Sequence, residues 1–472
     1  MILSIAWKNI WRSKLRSLVV ILAIGFGLLA GLFSVGLMNG MIMQRLDAGI
    51  NIEVASLQLH NSAYLENSEP QYTITDADEI IRSIYQNQEV AAITKRYKME
   101  CMLSSNRAAT GLNIVGVIPE DEKKVSKLYK YILDSNGTYL TEKGRNSIII
   151  SAKTAEKLKV RLRSKIIVNG VNKDGTTAKA SFRIVGIFKT SNSMYDQANA
   201  FIRYNDAAKV FGFDISETHE IAILNKEITE TTQLDEKLKH DYTRYIINDY
   251  SLLRARNDSI PENIYKVLEN NRSNKILSRD EYKSLFINTI GSDEFNSYEL
   301  NLYQVAETGI SVMNWGESSP DLAMMTTWID MMLFLFVGII LLALGFGIVN
   351  TMLMVVLERT KELGMLMAIG MNRRKVFVMI LYETVLLSLT GGILGLIMSI
   401  IAVAYFKNVG IDLNAFSEGF ESMGYNTMMY PYISFVSYVE VTIMVIFTGI
   451  LASIYPARQA TKLNPAEAVR TD

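Results

Sequence analysis

The chain has 472 residues, 49% of them hydrophobic, with a formal net charge of zero and a mean hydropathy of +0.15. Zero net charge removes the bulk-charge argument for a nucleic-acid partner. The single Cys101 excludes an internal disulfide and a cysteine-based zinc site. Three histidines, His60, His219 and His240, are too few and too scattered to suggest a metal cluster.

Residues 1–16, MILSIAWKNIWRSKLR, carry Lys8, Arg12, Lys14 and Arg16 and no acid, set among Ile2, Ile5, Trp7, Ile10 and Trp11. This predicts a short amphipathic helix on the cytoplasmic membrane surface, its cations near lipid headgroups. No charge follows from Ser17 to Gln44. A secretory signal has the same basic-then-apolar order, but its apolar core runs about 7–15 residues and ends in a small-residue cleavage site. This run is about twice as long, with no clean A-x-A, and reads as an uncleaved transmembrane helix over 17–44. Gly27, Gly31, Gly36 and Gly40 recur at or near four-residue spacing, which lets helices approach closely in lipid. Glycine is also simply common in membrane helices, and the pattern admits both readings.

Residues 45–325 read as one polar α+β domain. Strand-like runs occur at Ile52–Leu59, Ala91–Leu103, Leu112–Val117, Ser147–Ile150, Lys165–Val168, Ser181–Phe188 and Ala200–Arg203. Helical patterns occupy Asp76–Gln86 and Ala152–Leu158, and the segment from Gly170 to Gly175 carries a hairpin signal. From about 225 to 305 the composition shifts to Asn, Lys, Glu, Asp and Tyr. Short helices are predicted there at Thr232–Tyr245, Glu262–Asn271 and Arg279–Phe286, with no motif.

Apolar runs return at 328–357, 376–406 and 431–456, each long enough to cross a bilayer. They are separated by a charged connection, 358–375, and a short loop, 407–430, and followed by a tail, 457–472. Lys and Arg number four in the N-terminal flank, five in the connection and three in the tail, against one in the 407–430 loop, which holds Asp412, Glu418 and Glu421. The positive-inside rule therefore puts both termini and the connection in the cytoplasm, and the 45–325 domain and the short loop outside.

No G-x-x-x-x-G-K-[ST], H-E-x-x-H or G-x-S-x-G occurs, so no catalytic, cofactor-binding or metal-binding residue is assigned. Glu383 and Glu440 lie within spans. An ionisable group there should face protein, a water-filled cavity or an interface. Glu383 is read as a structural group, paired with Arg373 or Arg374, rather than a proton relay. Gly391, Gly392 and Gly395 are read as helix-packing positions. In the connection, Glu358, Arg359, Lys361 and Glu362 make a short charged helix punctuated by Gly364 and Gly370. Its Leu363, Leu366 and Met367 form an apolar face suited to a groove on a soluble partner.

ERTKELGMLMAIGMNRRKVFVMILYE, the following GGILG, and the closing YPARQATKLNPAEAVR resemble the FtsX/MacB-type permease family of ABC transporters. Leu37–Gly40, Leu57–His60 with Tyr64, Ser147–Val160, Val185–Phe188 with Tyr195 and Asp196, and Trp315–Pro320 with Leu322 resemble the LolC/LolE lipoprotein-releasing members most. Ser151 stands where that family usually has glycine, Arg163–Lys165 replaces a Gly-Asp-type turn, and the stretch from about 232 to 303 is longer than usual.

The resemblance implies four transmembrane helices with a large MacB-like periplasmic α+β domain between helices 1 and 2, in a multi-pass inner-membrane protein. It implies a permease subunit that is not itself an enzyme and binds no cofactor. ATP and Mg would be held by an ABC ATPase dimer docked at the cytoplasmic face. The ATPase push would enter at Glu358, Arg359, Lys361, Glu362, Leu363, Gly364, Leu366, Met367 and Gly370, and be spent in the outer domain on releasing lipoproteins. A second permease chain, identical or related, would complete the complex. Lipidated cargo would pass between helices 1 and 2 near Met38, Met41, Met332 and Phe336, with Gly27, Gly31, Gly391, Gly395 and Glu383 packing the helices. A MacB-like efflux permease and an FtsX-like permease that activates a cell-wall hydrolase are the alternatives.

Overall fold

The computed structural model describes residues 7, 10–12, 14–227, 231–245, 262–270, 276–292 and 307–462. Of the expected helix over 1–16, Trp7 and Ile10–Arg12 are helical; residues 1–6, 8, 9 and 13 lie outside the described residues. So do 463–472 of the tail and 228–230, 246–261, 271–275 and 293–306 of the extra segment. The chain forms two units. One comprises Met1–Gln44, Met324–Ser417 and Asn426–Asp472; the other Arg45–Ala323 with Glu418–Tyr425.

The first unit is helical. Among the described residues, four helices are long and apolar enough to cross a membrane: Ser17–Val54, Pro320–Glu358, Arg373–Val409 and Phe435–Thr461, hereafter spans 1 to 4. Ile24 and Leu28 of span 1, Ile348 and Met352 of span 2, Met379 and Leu387 of span 3, and Val441 and Val445 of span 4 share one buried cluster. Lipid tails are as apolar as these side chains, so close backbone approach must do what hydrophobic burial does in water. Glu440 is exposed on span 4.

The second unit is α+β. Its strands are β1 (Leu57–Asn61), β2 (Val90–Ser104), β3 (Ala109–Val117), β4 (Ile132–Gly137), β5 (Ser147–Ser151), β6 (Lys165–Val171), β7 (Thr177–Phe188), β8 (Asn199–Arg203), β9 (Glu220–Asn225), β10 (Thr243–Tyr245) and β11 (Glu307–Asn314). They run in the order β10-β11-β1-β9-β2-β3-β8-β5-β7-β4, with β6 bridging β2 and β7. Pairing is antiparallel except for β3 with β8 and β5 with β7. Along β7, Phe182, Ile184 and Phe188 turn inward and Arg183 outward, the period-two signature of a half-buried strand. Tyr97, Ile114, Ile148, Ile166, Phe182 and Phe211 anchor the core. The hairpin read from Gly170–Gly175 closes β6 onto β7, with Gly175 at φ +79 and Asn172 N–H donating to Thr176 O at 2.9 Å.

Two expected elements are corrected. Ile52–Leu59 is not one strand. Gly49–Val54 continues span 1 as a π-helix, Ala55 turns the chain at φ +73, and pairing begins only at Leu57. Asn51, whose amide donates to Asp47 O at 3.0 Å, ties the π turn to the helix before it. Thr232–Tyr245 is a helix only to Tyr242. Thr243–Tyr245 then pairs antiparallel with Glu307–Gly309, where a β-branched and an aromatic residue gain a cross-strand partner.

Candidate coupling site

Span 2 stops at Glu358 because Arg359 leaves helical geometry, at φ −102 and ψ 16. A separate helix, Thr360–Ala368, follows. Gly370 at φ +103 and Asn372, whose side chain accepts from Arg374 N–H at 3.2 Å, close it off and start span 3. Arg359 fixes this corner. Its Nη1 donates to both Glu383 oxygens, at 3.0 and 3.1 Å, and its Nε donates to Glu362 at 3.0 Å. Glu362 also reaches Arg12 at 3.1 Å, an exposed pair of little weight. Glu383 is therefore held by Arg359, not by Arg373 or Arg374, which are exposed. The cation comes from the far side of the connection, 24 residues upstream, and no local spacing rule points to it.

The short helix has two faces. Leu363 is 2% exposed and Gly364 is buried, while Leu366 and Met367 pack partly into the span cluster. The apolar face expected to meet a partner is thus used within the chain. Lys361, Met365 and Ile369, spaced four apart, are exposed on the other side, with Met365 at 56% and Ile369 at 80%. Glu358 and Gly370 are exposed too.

The glycines act pairwise. A Cβ on Gly391 would meet Ile24 and the carbonyl of Ile21, and one on Gly395 would meet Gly25 O at 2.5 Å and Leu28 Cβ at 2.9 Å. Span 3 therefore crosses span 1 at backbone contact. Gly27 and Gly31 face Leu344 and Ile340 of span 2, and Gly40 abuts Tyr430. The Gly27–Leu344 and Gly31–Ile340 pairs show spans 1 and 2 packing antiparallel, which brings Met38 and Met41 level with the Met331–Leu333 region. Met38 and Met41 are half-buried; Met332 and Phe336 are exposed.

A second ionic cluster, unread in the sequence, lies inside the outer unit on β1, β2 and β9. Arg96 binds Glu122 at 2.7 Å and Glu220 at 2.8 Å, and Lys98 also contacts Glu220. His60 Nε2 stands 3.6 Å from Glu220. His219 Nδ1 accepts Lys98 N–H at 3.2 Å, so its proton sits on Nε2, donated to Pro70 O at 3.0 Å. Burial pulls both imidazoles down to about 4. Burial pushes the Glu220 carboxyl up, but Lys98 and Arg96 outweigh it and bring it to about 2. With two cations already in place, this is a structural core network; the partners of Glu220 lie over 100 residues away along the chain, beyond any local spacing rule.

Two families match the chain: one described as the MacB-like periplasmic core domain, over residues 17–240, and one as the FtsX-like permease C-terminal, over residues 334–465. The chain is 25% identical over 476 residues to an uncharacterized ABC transporter permease of Methanocaldococcus jannaschii, covering 99% of this chain and 97% of that one. It is 38% identical over 124 residues to the macrolide export ATP-binding/permease protein MacB of Chlorobium luteolum, an alignment taking in 26% of this chain and only 16% of that much longer relative. The extracellular domain of YknZ from Gram-positive bacteria aligns with 38% of this chain and 88% of its own length, at 16% identity and a TM-score of 0.28.

Proposed function

Since this chain belongs to the FtsX/MacB-type family of ABC transporter permeases, we propose that it is a permease subunit that carries mechanical work from a cytoplasmic ATPase to its outer domain, where the work releases lipoproteins from the inner membrane. The ATPase dimer holds ATP and Mg; this chain pairs with a second permease, identical or related. Both termini and the 358–375 connection face the cytoplasm.

The observation that carries this reading is the helix Thr360–Ala368. It is set off from span 2 by the break at Arg359, locked to span 3 through Glu383, and left with one exposed stripe of Lys361, Met365 and Ile369. A short helix with anchors at i, i+4 and i+8 fits a groove on a soluble partner. An element clamped at its back and gripped at its front passes displacement on instead of absorbing it.

Co-expression with an ABC ATPase from the same genome tests the docking. Met365→Asp with Ile369→Asp should cut ATPase recovery on the tagged permease at least tenfold while membrane insertion is unchanged. Undiminished recovery would remove the docking role. For the cargo, photo-crosslinkers at Met38 or Met332 should capture acyl chains of a lipoprotein. The relatives named macrolide export proteins support an efflux alternative, which recovery of a periplasmic adaptor without lipoprotein capture would favour.

A further inference from the structure

The chain is neutral as a whole, yet between Glu142 and Lys189 it holds twelve Lys and Arg against three acids, Glu142, Glu156 and Asp174. Three of the cations have partners: Lys153 on Ser193 at 2.9 Å, Lys173 on Glu217, and Lys189 on Glu421 at 2.8 Å. The other nine are exposed and make no ion pair among the described residues.

The fold gathers the core of this set where β5 and β6 begin, midway along β7. Lys165 and Arg183 are register partners across the β6–β7 ladder, so two like charges stand directly opposite. Arg163 N–H donates to Ile184 O at 2.9 Å, which seats Arg163 beside Arg183. Arg183 N–H donates to Asn146 O at 2.8 Å, which brings Arg145 to the same place. Arg161 lies in the same turn, and Lys179 continues the row along β7. Asn146, Lys159 and Arg163 hold φ of +49, +53 and +67, conformations that favour glycine. Charged side chains are kept at Lys159 and Arg163 against backbone preference, and like charges are kept opposite each other against electrostatic preference. A surface of that kind gains most from an added anion.

The C-terminal end of β7 leads to residues tied to the segments that precede β1 and follow span 3. Lys189 pairs with Glu421, Asn192 donates to Glu53 at 3.0 Å, and Tyr195 OH donates to Ile52 O at 3.0 Å. Arg183 lies six residues and Lys179 ten residues back from Lys189, roughly 20 and 33 Å along an extended strand. Cations set in a row along β6 and β7 match charges that repeat along a chain better than they match single headgroups. The aromatics of the stretch, Phe182 and Phe188, are buried, so no platform for stacking nucleobases is offered. Exposed Met102, Ile167 and Val171 lie on the side of Lys165 away from Arg161 and Arg163. The four arginines have no exposed apolar residue among them, and Ile167 stands between them and Lys179, too little for the apolar centre of a protein interface.

We propose that this patch of the outer domain binds a soluble, linear polyanion of repeated phosphate groups, gripped by the guanidinium forks of Arg145, Arg161, Arg163 and Arg183 with Lys165 and Lys179. Arginine forks match phosphate oxygens two at a time. Binding of this kind is dominated by counterion release and so is steeply salt-dependent.

The test uses the full chain in a neutral detergent, with fluorescent inorganic polyphosphate as the probe. Affinity should fall about 50- to 130-fold between 50 and 200 mM salt if four or five phosphates are neutralised. The combination Arg161→Gln, Arg163→Gly, Arg183→Gln should weaken binding at least tenfold. Lys123→Gln with Lys124→Gln, which removes cations already paired with Glu120 and Asp121, should not. Arg163→Gly alone suits its backbone, so it should fold normally and still bind several-fold more weakly; this separates lost charge from lost fold. Equal affinity of the triple variant, or affinity indifferent to salt, overturns the proposal. Preference for polyglutamate would make the partner an acidic protein, and displacement of polyphosphate by phosphatidylglycerol vesicles would make it a lipid surface; either result also overturns it.

Discussion

Arg359 holds two carboxylates with one guanidinium, and the two do different jobs. Glu383 is only 4% exposed, and removing the cation would strand it in the span bundle. Arg359→Met should therefore cost about 3–5 kcal/mol in thermal or denaturant unfolding of the detergent-solubilised chain. Arg359→Met combined with Glu383→Leu should regain most of that loss, because replacing a buried pair by apolar groups is close to neutral. A double variant no more stable than the single would mean that Glu383 is held by something else. Ser151 and Arg163 show how a departure from a familiar pattern can have its own local reason. Ser151 caps the helix Ala152–Leu158, its Oγ accepting from Thr154 N–H at 3.1 Å, a role glycine fills less well. Arg163 sits at φ +67, where glycine would be easier, and only the surrounding cations give a reason for it.

At the level of elements, span 3 lies on span 1 through Gly25, Gly391 and Gly395, and that crossing can be tested directly. Gly395→Ala would drive a methyl into the Gly25 carbonyl and Leu28, and should destabilise the helical unit by about 1–3 kcal/mol. Gly392→Ala, with nothing within 4 Å of its Cβ, should be neutral, and the two melting curves in detergent should separate accordingly. The glycine spacing in the sequence marks this packing but cannot say which helix each glycine meets; Gly25, outside the noted spacing, proves central. The connection 358–375 behaves similarly. Its charged short helix was legible from composition. Which face points inward was not, because Leu363, Leu366 and Met367 suit a partner's groove and the chain's own core equally well.

At the scale of the molecule, the outer unit carries a built-in sensitivity to acid. His60 and His219 are neutral in the fold at about 4, below the free value of 6.5. The unfolded chain binds these protons first, so their contribution is complete above about pH 6.5 and is lost as pH falls towards 4. Each is worth up to roughly 3 kcal/mol. Glu220, held at about 2 against a free value of 4.5, adds a further loss below pH 4.5. The melting temperature should drop steadily from pH 7 to 4, and His219→Gln should flatten that slope. A variant with the wild-type slope would show that this imidazole takes up its proton at the same pH folded and unfolded.

The amino-acid order alone determined the four spans, the inserted α+β domain and the charged connection, because hydrophobic run length, strand alternation and hairpin glycines act over a few residues. Tertiary structure alone decided that Arg359 serves Glu383, that the short helix turns Leu363 inward and Ile369 outward, and that Arg145, Arg163 and Arg183 meet where β5 and β6 begin. These outcomes join residues roughly 20 or more positions apart. The energy that brings them together comes from burial and charge pairing, which depend on where the chain returns and not on what is written next to each residue.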